Sequence, residues 1–293
     1  METTTETAQS EVSRPAGLTL GGIDLRRVPW WAVILLASGL ILTYLIFTNE
    51  QYADTFNFLK VGLVVTLRIT MFSFAISLVV GLLLGMMRTS KNVFFFNFST
   101  LYVEVIRGIP MIVLILYVAF VVVELGEVAV NAVGEWGLAL PTQALNGMFQ
   151  LLADFQSRNV SFEARAILAL GLGYGAYEAE VFRAGIQSIG RGQIEAARSL
   201  GMNYLQTMRF VVLPQAIRRV LPPLGNDLIS LLKDSALATV LAVNELTQLG
   251  RKRRSSTFRA LETFNVLVFM YLGMTLILSA GVRYLEHRMK FEE

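Results

Sequence analysis

Residues 195–216 read EAARSLGMNYLQTMRFVVLPQA, a polar interruption in a chain greasy enough to live in a bilayer. Ile194, Ala197, Leu200, Tyr204, Met208 and Val211 recur at three- and four-residue steps, which marks an apolar helical stripe. Arg198, Ser199, Asn203, Gln206 and Arg209 fill the other faces. Gly201 interrupts the stripe, so two short helices with a turn fit better than one long rod. Asn203 is placed to cap the second helix, and Pro214, which lacks an N–H, is expected to end it. The stretch therefore reads as a short helical hairpin on the cytoplasmic surface. Tethered at both ends to apolar spans, it can pass a push from a soluble partner into the membrane.

The flanks supply those spans. The 293-residue chain is 54% hydrophobic and 16% charged, against about 25% charge in a typical soluble domain. Six apolar stretches are long enough to cross a bilayer, at about 30–47, 61–87, 101–123, 165–189, 221–247 and 263–285. Trp30, Trp31 and Tyr44 sit near the ends of the first, where aromatic rings favour the interface. Six spans put both termini on one side. Assigning that side to the cytoplasm places fourteen Lys and Arg inside and eight outside, in keeping with the positive-inside rule. Five of the eight lie in GRKRRSSTFRA at 250–260, read as a short outer loop. That loop is either a solvated turn, a surface for an acidic partner or substrate, or the flank of a re-entrant span. Residues 1–28 are polar and read as a disordered cytoplasmic tail, and 29–57 as an additional N-terminal helix with its outer loop. Residues 124–164 are too polar and too interrupted by Gly and Pro to span. They are expected to hold a short helix lying on the outer face.

Composition also excludes chemistry. There is no cysteine, and the one histidine, His287, is in the C-terminal tail, so thiol nucleophiles and His-based metal centres are out. No G-x-x-x-x-G-K-[ST] appears, so the chain cannot cradle nucleotide phosphates with a P-loop. A net charge of +3 makes no case for nucleic acid, and a DNA-binding helical pair could not enter a major groove while wedged between spans. An interfacial amphipathic hairpin with no partner stays open.

Ionisable groups inside spans are the sharper signal, since each costs about 2.5–3.5 kcal/mol at the bilayer centre. Glu178, Glu180 and Arg183 lie in the fourth span; Asp227, Lys233 and Asp234 lie in the fifth. Glu180 and Arg183 can pair along one helix face. The cluster, Asp227 included, either locks the bundle with ion pairs or faces a substrate, and both can hold at once. Gly171, Gly175 and Ala179 form the small-residue row that lets membrane helices approach closely.

These residues carry a resemblance. Glu195-Ala196-Ala197, then Gly201 and Val211-x-Leu213-Pro214, closely resembles the EAA loop of permease subunits of ABC importers. YVEVIRGIP at 102–110, AYEAEVFRAGIQSIGRGQIEAARSLG at 176–201 and NDLISLLKDSALATV at 226–240 are similar to motifs of the branch that carries polar amino acids. The likeness covers about 58–288. It implies an all-α integral membrane protein with the type I importer permease fold, about six transmembrane helices and a cytoplasmic coupling helix, set in the bacterial inner membrane. It further implies a second permease chain, identical or paralogous, a cytoplasmic ATPase dimer that binds ATP and Mg, and an extracytoplasmic substrate-binding protein. The EAA loop at 191–218 would dock on the ATPase. Glu195 would make the polar contact, Arg198 would supply a charge partner and Gly201 the close turn. The chain itself would be no enzyme. Glutamine, glutamate, aspartate, arginine and histidine are the implied cargoes, and Tyr117, Tyr174, Tyr177, Glu178, Asn226, Lys233, Asp234 and Ser235 are candidates for the pathway. The alternatives are the same fold with another small solute, and an ion-coupled secondary transporter.

Overall fold

The structure, a computed structural model, describes residues 19–20, 23–24, 29–140 and 145–289. Strands β1 (Thr19–Leu20) and β2 (Ile23–Asp24) pair antiparallel. The rest of the expected tail over 1–28 lies outside the described residues.

Helix α1 (Trp30–Thr48) is apolar all round, and none of its residues is buried in this chain, which suits a helix surrounded by lipid. Asn49 ends it and caps α2 (Glu50–Arg88), accepting hydrogen bonds from the amides of Gln51 and Tyr52. Helix α3 (Val93–Gly108) stops at Ile109–Pro110, because Pro110 disfavours helix at the residue before it. The chain restarts as α4 (Met111–Tyr117) and runs through a π-helical segment, Val118–Val122, into α5 (Val123–Leu138). The predicted span at 101–123 is therefore two helices divided at Pro110. The membrane-crossing unit is Met111–Leu138 instead.

This shift corrects a second expectation. Residues 124–138 are not an outer loop but the continuation of a helix, which at about 1.5 Å per residue outruns a hydrocarbon core of about 30 Å. The expected short helix is α6 (Asn146–Ala153), and it folds back on α5. A Cβ on Gly134 would overlap the Ala153 backbone, and one on Gly137 would overlap the Phe149 ring. Arg165 anchors the junction from within, donating to the carbonyls of Ser157 and Ala119 at 2.7 and 2.5 Å.

Helix α7 (Phe162–Gln187) runs beside α2 in the same direction. A Cβ on Gly171 or Gly175 would come within 2.7 Å of Ile76 or Val80, and one on Gly81 or Gly85 within 2.7 or 2.8 Å of Glu178 or Phe182. Two small residues on each helix thus let α2 and α7 pack closely along their length. Helix α8 (Arg191–Ser199) and the one-turn α9 (Tyr204–Thr207) follow. From α9 the chain continues as a π-helical turn, Met208–Val212, into α10 (Leu213–Asp234). Pro214 therefore does not end the helix. The wider turn, closed by the Leu213 amide on the Met208 carbonyl, absorbs the hydrogen bond that proline cannot make.

The expected span at 221–247 also breaks. After α10 comes a 3-10 stretch, Ser235–Leu241, and then a left-handed Ala242. Helix α11 (Leu246–Thr257) follows, so the basic stretch at 250–260 is largely helical rather than a loop. Glu245, fully buried, caps α11 through the amides of Thr247 and Gln248, and the Thr66 hydroxyl accepts from the Leu246 amide. Irregular backbone at membrane depth survives where protein groups satisfy it in this way. Helix α12 (Ala260–Met289) closes the bundle. Among the described residues, four helical stretches are long and apolar enough to span: α1, α2, 111–138 and α12. Helices α7 and α10, of 26 and 22 residues, add the charged pair.

The glycine interface predicts its own sensitivity. Gly81→Leu is expected to lower the thermal midpoint of the detergent-solubilised chain, costing on the order of 1–3 kcal/mol. Gly39→Leu, where an added Cβ meets nothing within 4 Å, is expected to leave it unchanged.

Candidate functional site

Two of the breaks meet. Helix α4 begins at Met111 and α10 ends at Asp234, and between them lies a cavity of about 290 Å³ lined by Met111, Tyr174, Tyr177, Asp227, Ser230 and Asp234. The Tyr174 hydroxyl donates to Asp234 Oδ2 at 2.8 Å. Asp227 Oδ2 is buried with no hydrogen-bond partner. Glu178, on the same helix as the two tyrosines, is fully buried; the Ser77 hydroxyl donates to its Oε1 at 2.7 Å, and its Oε2 has no partner. Two carboxylates and three hydroxyls surround one recess with no cation among its lining, an arrangement whose chemistry suits a cationic group. The positive end of α4 abuts the same recess. Among the described residues no group of His, Cys, Asp and Glu could hold a metal.

Of the predicted pathway residues, Tyr174, Tyr177 and Asp234 come together here. Tyr117, Asn226 and Lys233 are exposed away from the cavity's lining, and the buried Ser235 hydroxyl is spent on the Leu232 carbonyl at 2.7 Å. Asp227, expected in an intramembrane ion pair, forms none among the described residues and lines the cavity instead. Lys233 lies six residues on, roughly 240° round the helix, so it points elsewhere. Ser230 was missed, although Asp227, Ser230 and Asp234 recur at three- and four-residue steps and so share one helix face.

Next to the cavity stands an ion cluster centred on Glu180, which Arg183 grips through Nε and Nη2 at 2.8 and 2.7 Å. Arg88, from α2, bonds Glu180 Oε1, and Arg107, from α3, stands 3.9 Å from that oxygen. The Arg107 guanidinium lies over the Tyr177 ring, 5.4 Å from its centroid. Arg88 and Arg107 were not singled out, since both sit at helix ends where cations are routine.

At the far end of α10 the hairpin takes shape. The Met202 amide donates to the Ala197 carbonyl and the Gly201 amide to the Arg198 carbonyl, with Gly201 at φ +81°. That is the Schellman ending, which needs a residue at ease in the left-handed region. Asn203 and Gln206 cap α9 reciprocally, each side chain accepting from the other's amide at 2.9 Å. Ala197 is buried, whereas Glu195, Ala196 and Arg198 are exposed, as are Leu200, Tyr204, Leu205 and Phe210.

Comparison with known proteins agrees with this architecture. The profile of a family described as "Binding-protein-dependent transport system inner membrane component" matches residues 77–291. The glutamine transport system permease protein GlnP of Escherichia coli (strain K12) is 35% identical over 229 residues, 78% of this chain and 91% of that protein. The arginine transport system permease protein ArgU of Corynebacterium glutamicum is 32% identical over 273 residues, 89% of this chain and 80% of its own. Among solved structures, a chain of an amino acid ABC transporter with histidines superposes with a TM-score of 0.61 at 32% identity, covering 79% of this chain and 94% of that one.

The Glu180 cluster generates a test of stability. Glu180→Gln leaves the nearly buried Arg88 without its hydrogen-bonded anion and is expected to destabilise the solubilised chain by about 3 kcal/mol. Glu104→Gln, which removes an exposed carboxylate 3.7 Å from Arg88, is expected to change the thermal midpoint little.

Proposed function

This chain belongs to the family of binding-protein-dependent transport system inner membrane components, and from that membership we propose that it is the permease subunit of an ATP-driven importer of polar amino acids. The observation that carries the reading is the exposed hairpin at 191–218, built on Gly201 and closed on itself by Gln215, whose side-chain amide donates to the Gln193 side-chain oxygen at 2.5 Å. Its apolar side chains, Leu200, Tyr204, Leu205 and Phe210, are exposed beside Glu195 and Arg198, as a docking element for a soluble partner requires.

In this reading ATP and Mg belong to a pair of cytoplasmic ATPase subunits, and the chain itself catalyses nothing. Closure of the ATPases displaces the hairpins. Because α9 runs without interruption into α10, a displacement of the hairpin reaches Asp227, Ser230 and Asp234 as a rigid-body movement. The cavity then opens to one side of the membrane and to the other in turn, within a pair of permease chains fed by an extracytoplasmic binding protein. The cargo is an amino acid whose ammonium or guanidinium meets Asp227 and Asp234. Both termini and the hairpin lie in the cytoplasm, and α1 is an addition to the transporting core.

Glu195→Lys and Gly201→Asp are each expected to abolish co-purification of the cognate ATPase and ATP-dependent uptake while the chain still inserts in the membrane. Unchanged ATPase recovery in both variants would sink the coupling role. Asp234→Asn is expected to leave ATPase recovery intact and to slow uptake at least roughly 10-fold, by loss of one charge-assisted contact.

A further inference from the structure

We infer that Arg107 is the specificity residue that receives the carboxylate of the transported solute, an inference that rests on the amino acid reading above and extends it to a residue outside the cavity's lining.

The stoichiometry of the Glu180 cluster comes first. One carboxylate faces three guanidinium groups, and it has two oxygens. Arg183 holds Oε2 with two donors and Arg88 bonds Oε1. Arg107, at 3.9 Å from Oε1, is beyond hydrogen-bond length. Glu104, the other acid of the cluster, stands 3.7 Å from Arg88 and is itself exposed. Arg107 therefore keeps its donors, and its side chain is 44% exposed. It opens on a cleft of about 540 Å³ that it shares with Arg183 and Arg219. Arg183 also donates to Gln187, and Arg219 donates to the Ser188 carbonyl, so Arg107 is the least committed of the three cations.

Position comes second. Tyr177 links the two spaces: it lines the carboxylate cavity, and its ring lies beneath the guanidinium of Arg107, which lines the cleft. The cation is thus held over the ring at the cavity's edge without using its hydrogen-bond fork. On one side of Tyr177 stand Asp227, with an unpartnered oxygen, and Asp234; on the other stands an under-neutralised guanidinium. The order of charge along this path is negative, then positive. An α-amino acid carries the complementary pair on one carbon, an ammonium and a carboxylate. A simple amine satisfies only the first half, so Arg107 separates amino acids from amines of the same size.

The test uses the full-length chain in lipid nanodiscs and two pairs of probes: L-glutamine with 4-aminobutanamide, and L-arginine with agmatine. The second member of each pair lacks only the carboxylate. Wild type is expected to bind an amino acid roughly 10- to 100-fold more tightly than its decarboxylated partner, the range for one charge-assisted contact. Arg107→Gln is expected to bind the two members alike, and Arg107→Lys to restore part of the preference, which a purely structural role would not do. Asp234→Asn is expected to weaken both members equally. A full preference retained in Arg107→Gln overturns the role of Arg107 and leaves the amino acid reading standing. A wild-type chain that binds none of the four probes overturns both.

Discussion

Gly81 and Gly85 on α2 receive Glu178 and Phe182 of α7, and Gly171 and Gly175 on α7 receive Ile76 and Val80 of α2, so the two helices approach with no room for a side chain at any of the four glycines. Between membrane helices, with little hydrophobic drive to associate in lipid, such close contact is what packing energy depends on. The rest of the site hangs on that approach. Ser77 reaches Glu178 because the helices touch, and Arg88, about three turns further along α2, reaches Glu180. Tyr174 and Tyr177 project from the same α7 toward α10 and α3. Were α2 and α7 held apart by one methyl per turn, the buried carboxylates would lose the partners that make their burial tolerable.

Around this rigid pair the bundle is built from interrupted helices. Pro110 divides α3 from α4, and the 3-10 stretch at Ser235–Leu241 ends α10. The interruption after α10 frees backbone groups that lipid cannot satisfy, and protein groups satisfy them there. Glu245 and Thr66 do this for α11, and the Ser235 hydroxyl takes the Leu232 carbonyl. The cavity lies between the two interruptions. A continuous helix would offer side chains alone, whereas a broken one adds a polar terminus at membrane depth.

Much of this was legible in order. The hairpin followed from periodicity, Gly201 and Asn203, because caps and left-handed turns are local physics written in two or three residues. The small-residue row on α7 was visible for the same reason. Pro214 misled: a proline ends a regular α-helix, but a π-helical turn just before it lets the helix continue, and nothing local marks such a turn. The break after Asp234 was hidden too, since SALATVLAV is uniformly apolar and carries no period. Pro110 is visible in the sequence, but the apolar residues on both sides of it give one continuous hydropathic stretch.

The sequence by itself determined that the chain is helical, membrane-embedded and polar at a few costly positions, because hydropathy, spacing and capping act over one or two turns. Only the tertiary structure decided which of those polar residues serve together. Asp227 looked like half of an ion pair and became a wall of the cavity, while Lys233, six residues later, faces away from it. Arg107 carried no signal of its own; its standing comes from α3 crossing α7 at Tyr177 and from Glu180 having only two oxygens to share. Such pairings depend on which helix faces meet across the bundle, and that geometry is set by contacts between residues far apart in the chain.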